Sequence, residues 1–398
     1  MPYMRKRTAS LLGLAVATGL AAAPSPAQDY SFLGKWPTSH TFADGTDIGA
    51  SGLYQYDVND FSNDDGRLQD ARTNRRKYLG FYAKKKGVYD GTVVYDFQGK
   101  KWQDVYLRLQ SKACLGQDVG ALRFGQSKTP VSLEGNTSSS ATTFVELALP
   151  SQAVYENRRI GVDWAVSRPA WLASLGYYGA DLQGDNHGHT LAGRVAWVPL
   201  HQASDVLHLG LAASRETPQA STNGLGLVSP PAVRFRATPE DGLSPIRLVD
   251  SSTLVDVDHI DRSGVEGLWI HGPLSLQGEY LNAKTTFYNG KPAYRIDGYY
   301  GFGSWVLTGE SRPYRDGNVG NIVPSHAWGA VELALRYSNV DLNDPGVLGG
   351  REHDWTLGAN WYLGQHLKLQ ANYIRAFSDR KGLVVDPHIV ELRAQLLF

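Results

Sequence analysis

The sequence is poor in cysteine, in net charge and in long apolar runs. One cysteine, Cys114, in 398 residues excludes an internal disulfide framework and any cysteine-rich zinc site. Thirty-nine basic residues balance thirty-nine acidic ones, so no bulk positive charge is available to hold nucleic acid. Mean hydropathy is −0.31 and no apolar run reaches the ~20 residues of a membrane-spanning helix. A helical membrane protein is excluded, but a membrane barrel is not, because its strands alternate and carry little net hydropathy. A catalytic motif is missing too. No G-x-S-x-G elbow occurs, and Ser138, Ser139 and Ser140 read as polar loop serines. His187 and His189 form an H-x-H without an evident third ligand, so no metal site, cofactor or enzymatic activity is expected.

What the chain does have is aromatics: ten tryptophans, twenty-one tyrosines and twelve phenylalanines. It also has an export signature. Arg5, Lys6 and Arg7 precede an apolar stretch from Leu11 to Ala23, and Ser25-Pro26-Ala27 supplies small residues before a cut at Gln28. Residues 1–27 are therefore expected to be a signal peptide and 28–398 the mature domain. Loss of the three basic residues would leave a formal charge of −3.

Beyond Gln28 the helical i, i+3, i+4 stripe is almost absent, and period-two alternation takes its place. Val105, Leu107 and Leu109 alternate with Asp104, Tyr106, Arg108 and Gln110. Ile160, Val162, Trp164 and Val166 oppose Arg159, Gly161, Asp163 and Ala165, and the chain ends on Val390, Leu392, Ala394, Leu396 and Phe398 against Glu391, Arg393, Gln395 and Leu397. A soluble sandwich alternates as well. Apolar faces that end in Trp or Tyr, and connections that alternate short and long, favour a membrane barrel. About sixteen such segments fit between residues 48 and 398. In hydrocarbon no sheet edge can be left unpaired, so the expected fold is all-β: a closed, transmembrane, antiparallel β-barrel. Sixteen strands enclose a lumen that wall side chains alone cannot fill, hence an aqueous channel. The long connections are placed at 60–72, 128–157, 216–256 and 340–351, with 216–256 an external loop. The 311–326 segment falls on the short-turn side by parity.

Several segments resemble the phosphate- and polyphosphate-selective porin family of Gram-negative outer membranes. They include Arg75-Arg76-Lys77-Tyr78-Leu79-Gly80, Phe124-Gly125-Gln126-Ser127-Lys128-Thr129-Pro130, Glu156-Asn157-Arg158-Arg159-Ile160-Gly161-Val162, Leu307-Thr308-Gly309-Glu310-Ser311-Arg312-Pro313-Tyr314 and Leu357-Gly358-Ala359-Asn360-Trp361-Tyr362-Leu363. The resemblance implies a homotrimeric outer-membrane porin passing small anions, phosphate or polyphosphate. It also implies that the third external loop, here 128–157, folds inward as a constriction. By the same resemblance Arg75, Arg76, Ser127 and Lys128, with Tyr78 beside them, would form the narrowest point.

Strand parity gives an independent reading. Leu79, Phe81 and Ala83 face lipid, which turns Arg76 and Tyr78 inward; Arg75 has the wrong parity and needs a bulge or a strand end. Leu122 and Phe124 likewise turn Arg123 and Ser127 inward, and Lys128 sits where the chain leaves the wall. Arg108, Arg159, Arg194, Arg336, Lys368 and Arg393 also fall on lumen faces. A lipid-facing arginine at mid-bilayer costs ~2–4 kcal/mol, so inward placement is favoured. Guanidinium and ammonium groups suit phosphate oxygens. Inward carboxylates such as Asp90, Asp104, Asp163, Glu332 and Glu391 can instead pair these bases within the wall. Glu134 and Glu146, with no basic residue between Lys128 and Arg158, point to a looser specificity. A general or carbohydrate-passing porin with weak ion preference is the alternative.

Overall fold

A computed structural model describes Trp36, residues 38–222 and residues 224–398. The expected signal peptide, 1–27, lies outside the described residues. Sixteen strands form the wall. The first eight are β1 (Thr46–Ser62), β2 (Ala71–Lys85), β3 (Tyr89–Asp96), β4 (Lys101–Gln110), β5 (Ala121–Lys128), β6 (Arg158–Arg168), β7 (Trp171–Tyr178) and β8 (Gly188–His201). The rest are β9 (Asp205–Pro218), β10 (Val257–His271), β11 (Leu274–Phe287), β12 (Tyr294–Val306), β13 (Ala330–Asp344), β14 (Val347–Leu363), β15 (Leu367–Arg380) and β16 (His388–Leu397). Each pairs antiparallel with its neighbours in sequence, and β1 pairs with β16 from Leu53↔Leu397 to Ser62↔His388. No edge is left among the sixteen, as hydrocarbon requires.

The alternation seen in the sequence becomes an inverted packing rule. Along β13, Glu332 and Arg336 are wholly buried, whereas Leu333 and Leu335 are 42% and 49% exposed. Apolar side chains point outward toward lipid and charged ones inward, because each strand's two faces meet different solvents. Exposed Trp171, Trp197, Trp305 and Trp361 lie near the strand ends on the tight-turn side of the barrel, where an interfacial girdle belongs.

Some boundaries differ from expectation. The 340–351 stretch is not a long loop: β13 runs to Asp344, β14 starts at Val347, and the hairpin closes at Pro345-Gly346. Its Asp, Asn and Gly residues read as a loop, but Asn343 and Asp341 accept the Gly350 and Asn343 amides and cap the hairpin internally. β9 continues to Pro218, so the loop placed at 216–256 begins at 219 and Glu216 belongs to the wall. Among the described residues, three short helices interrupt a chain that alternation reads as almost helix-free: α1 (Ser111–Leu115), α2 (Leu133–Asn136) and α3 (Leu149–Val154).

Residues 129–157, between β5 and β6, lie against inward side chains of the far wall. Irregular backbone away from water needs partners for its polar groups, and the wall supplies them carbonyl by carbonyl. Gln55 of β1 donates to Ser139 O (3.2 Å) and Gln395 of β16 to Ser140 O (3.0 Å). Lys368 of β15 donates to Thr142 O (2.7 Å), Asn360 of β14 to Thr143 O (2.8 Å) and Arg336 of β13 to Glu146 O (3.2 Å). Five consecutive strands around the closure seam thus hold one extended segment. The N-terminus of α2 is held by a wall carboxylate: Glu279 of β11 accepts from the Leu133 and Glu134 amides at 2.9 and 2.7 Å and from Ser132 Oγ at 3.1 Å.

Two other connections add to this filling. In the β9–β10 loop, Phe235, Ala237 and Val249 join Leu149 and Val154 of α3 in an apolar cluster with Ile260, Leu281 and Ile296 of the wall. Its Glu240 is buried against Arg336, Ser338 and Thr356. From the tight-turn side, the 307–329 connection places Arg312 on Glu332 and Tyr314 Oη 2.8 Å from His208 Nδ1, while the Gly317 carbonyl accepts from Arg194 at 2.9 Å. Its Val319 packs in one cluster with Leu133 of α2.

Candidate pore and constriction

Open space remains on the β2–β6 side of the lumen. A cavity of about 690 Å³ lies toward the long-loop end and a second of about 350 Å³ lies deeper. Tyr78, Gln103, Lys128, Ser139 and Arg158 line both, so they form the neck between them. Tyr78 comes from β2, Gln103 from β4 and Lys128 from the last position of β5. Arg158 opens β6, and Ser139 belongs to the loop across the lumen. The Lys128 ammonium donates to the Gly135 and Thr137 carbonyls at 2.8 and 2.6 Å. No carboxylate lies within ion-pair distance of it among the described residues. Arg158 forks onto Asp104 at 3.0 and 3.1 Å.

The upper cavity is basic for a chain of balanced charge: among the described residues, ten arginine or lysine side chains line it against six carboxylates. Arg234, Arg236 and Arg247 come from the β9–β10 loop, and Arg75 and Arg76 follow below them. Burial, and then the like charges of Arg236 and Arg75, lower the Arg247 guanidinium from its ordinary value. Two loop carboxylates show opposite behaviour. Burial pushes Asp241 up to about 6. Burial also opposes the charge of Glu146, yet Arg75, Arg76 and Arg393 outweigh it and hold the carboxyl well below its usual range.

The structure places the expected residues in distinct settings. Arg75 is turned inward by a bulge: Gln55 faces Arg76 and Tyr56 faces Asn74, which leaves Arg75 as the extra residue. Both arginines line the upper cavity rather than the neck. Both also pair with Glu146, Arg75 at 2.9 Å and Arg76 at 3.3 Å. Ser127 does not reach either cavity; it is buried at the strand end, 3.4 Å from Asp163. Its place at the narrow point is taken by Gln103, Ser139 and Arg158, which the sequence reading did not select. Gln103 turns inward where the β3–β4 register shifts, and Ser139 is defined only by the loop's docking, so neither has a local signal.

The six other inward arginines of the sequence reading are ion-paired. Arg108 meets Asp90 (2.6 Å), Arg123 meets Asp163 (2.9 Å) and Arg194 meets Glu266 (2.7 Å). Arg159 pairs with Glu216, Arg336 with Glu134 and Glu240, and Arg393 with Asp57 and Glu146. Of these only Arg123 and Arg159 line either of the two lumen cavities; the others anchor wall or loop.

A closed sixteen-stranded barrel, apolar outside and charged within, defines an outer-membrane channel of the porin type. The model of the family described as phosphate-selective porin O and P matches residues 48–398, and the chain belongs to that family. Porin O of Pseudomonas aeruginosa is 26% identical over 363 residues, 80% of each chain. An uncharacterized protein of Caulobacter vibrioides is 29% identical over 261 residues, which is 61% of this chain and half of that relative's length. Among solved structures, the outer membrane channel DcaP of Acinetobacter baumannii has a TM-score of 0.57 at 11% identity, covering 91% of this chain and 100% of its own. An anion-selective porin from Comamonas acidovorans has a TM-score of 0.56 at 12% identity, covering 89% and 100%. These structural likenesses establish the barrel.

Proposed function

We propose that the chain is a passive outer-membrane pore for small anions, with inorganic phosphate or polyphosphate as the solute class and the 129–157 loop as its constriction. One observation carries this reading: ten basic against six acidic side chains in the upper cavity, leading to a neck whose Lys128 has no carboxylate partner among the described residues. Guanidinium forks and an ammonium replace the hydration of an oxyanion stepwise, and weak binding at several positions permits passage. Assembly as a homotrimer fits both the family and the trimer form of Vibrio cholerae OmpT, whose barrel is similar at a TM-score of 0.55.

A second reading, a general pore with weak ion preference, is favoured by the pairing of Arg75 and Arg76 with Glu146. Planar-bilayer recordings separate the two. Reversal potentials in a potassium chloride gradient are expected to show anion preference, reduced or reversed by Lys128→Glu. Wild-type protein with no anion preference overturns the anion reading, and a Lys128→Glu variant with unchanged preference overturns the part given to Lys128.

A further inference from the structure

Three guanidinium groups and one loop carboxylate meet at the edge of the upper cavity, which Arg75, Arg76 and Glu146 line while Arg393 lies buried behind them. Arg75 reaches Glu146 through Nε (2.9 Å) and Nη2 (3.2 Å), and Arg76 through Nη1 (3.3 Å) and Nη2 (3.4 Å). Arg393 reaches the same carboxylate through Nη2 at 2.8 Å, and it also forks onto Asp57 at 2.7 and 2.6 Å. Arg75, Arg76, Arg393 and Asp57 belong to the wall; Glu146 is brought in by the loop. Gly242 closes over the pair: a Cβ there would stand 2.6 Å from Glu146 Oε1 and 2.7 Å from Arg75 Nε. Arg75 nevertheless keeps 30% of its side chain exposed and Arg76 13%, so the cluster still faces water.

We infer that Glu146 is a tethered anion filling the oxyanion-binding cluster of Arg75, Arg76 and Arg393, and that it sets how tightly the pore holds a passing phosphate. The inference rests on the anion-channel reading and deepens it by naming a specificity-determining residue. Three arginines with two carboxylates leave one uncompensated positive charge; without Glu146 they would leave two. A carboxylate offers two oxygens and one charge, whereas hydrogen phosphate offers four oxygens and two charges to the same forks. An unfilled cluster would therefore retain phosphate strongly, and conduction requires release as well as entry. The arginines keep Glu146 ionised, so its occupancy does not lapse near neutral pH.

The test is phosphate block of chloride current through the purified full chain. Glu146→Gln keeps the shape and removes the charge; it is expected to lower the half-blocking phosphate concentration about tenfold, and Arg75→Gln added to it is expected to reverse the gain. Glu146→Asp, which keeps the charge but withdraws it by one methylene, is expected to fall between the two and decides the matter if Glu146→Gln does not insert. An unchanged half-blocking concentration in a conducting Glu146→Gln channel, or in Glu146→Asp where only that variant inserts, overturns the role of Glu146. Wild-type protein without anion preference overturns the anion reading on which this rests instead, so the two failures are distinguishable.

Discussion

Lys368 of β15 donates its ammonium to the carbonyl of Thr142 at 2.7 Å, across 226 residues of chain. A basic side chain that parity places in the lumen is thereby used as an anchor for loop backbone, not as a free ion contact. Lys368→Met keeps the stem and removes the donor, leaving a buried carbonyl with one weaker partner, Gln370 at 3.5 Å. The expected loss is about 1–3 kcal/mol of barrel stability, read as a lower unfolding temperature on semi-native gels. Unaltered stability together with unaltered single-channel current noise would show that the loop does not depend on this donor.

Glu279 holds three groups at the start of α2 and also accepts from Tyr300 Oη at 2.7 Å. Glu279→Ala strands the Leu133 and Glu134 amides away from water. Proteolysis within 129–157 is expected to rise several-fold with little change in strand content by circular dichroism, at an energetic loss of about 1–3 kcal/mol. Equal cleavage rates in both proteins would refute the assignment.

Leu335 faces lipid near the middle of β13, beside the inward Arg336. Leu335→Arg is expected to destabilise the barrel by ~2–4 kcal/mol, measured by urea titration of folding into lipid vesicles. Leu335→Phe, which keeps an apolar outer face, is expected to lie close to wild type. A tolerated arginine would mean that this face does not contact hydrocarbon.

Asp241 in the β9–β10 loop has its carboxyl raised from 3.8 to about 6, because burial disfavours its charge. The folded loop therefore binds the proton more tightly than the unfolded loop does. The stabilisation is complete below pH ~4 and disappears as pH rises through about 6. Limited proteolysis of 219–256 is expected to be faster at pH 8 than at pH 5, and Asp241→Asn is expected to flatten that dependence. Cleavage that slows as pH rises would contradict the sign.

The wall was largely legible in the sequence, and residue by residue the reason is clear. Leu79, Phe81, Leu122 and Phe124 alternate with inward Tyr78, Arg123 and Ser127 because successive side chains of a strand point to opposite faces. Arg75 required more: its odd parity called for a bulge, and the register shift at Gln55 supplies one. The 340–351 hairpin was misread because turn-forming residues carry the same composition whether they form a wide loop or cap a tight one. Gln103 and Ser139, now at the neck, carry no periodic or motif signal at all.

A lipid-facing barrel of about sixteen strands, with its bases turned inward, follows from the amino-acid order alone, since period-two alternation is a local consequence of the pleat and of two unlike solvents. Which bases meet water and which are spent on anchoring was decided only by the tertiary structure. That outcome depends on where residues 129–157 and 219–256 come to rest, through contacts such as Arg336 with Glu134 and Arg393 with Glu146, 202 and 247 residues apart. Charge pairing across such distances is governed by the closed shape of the barrel, and no local pattern encodes it.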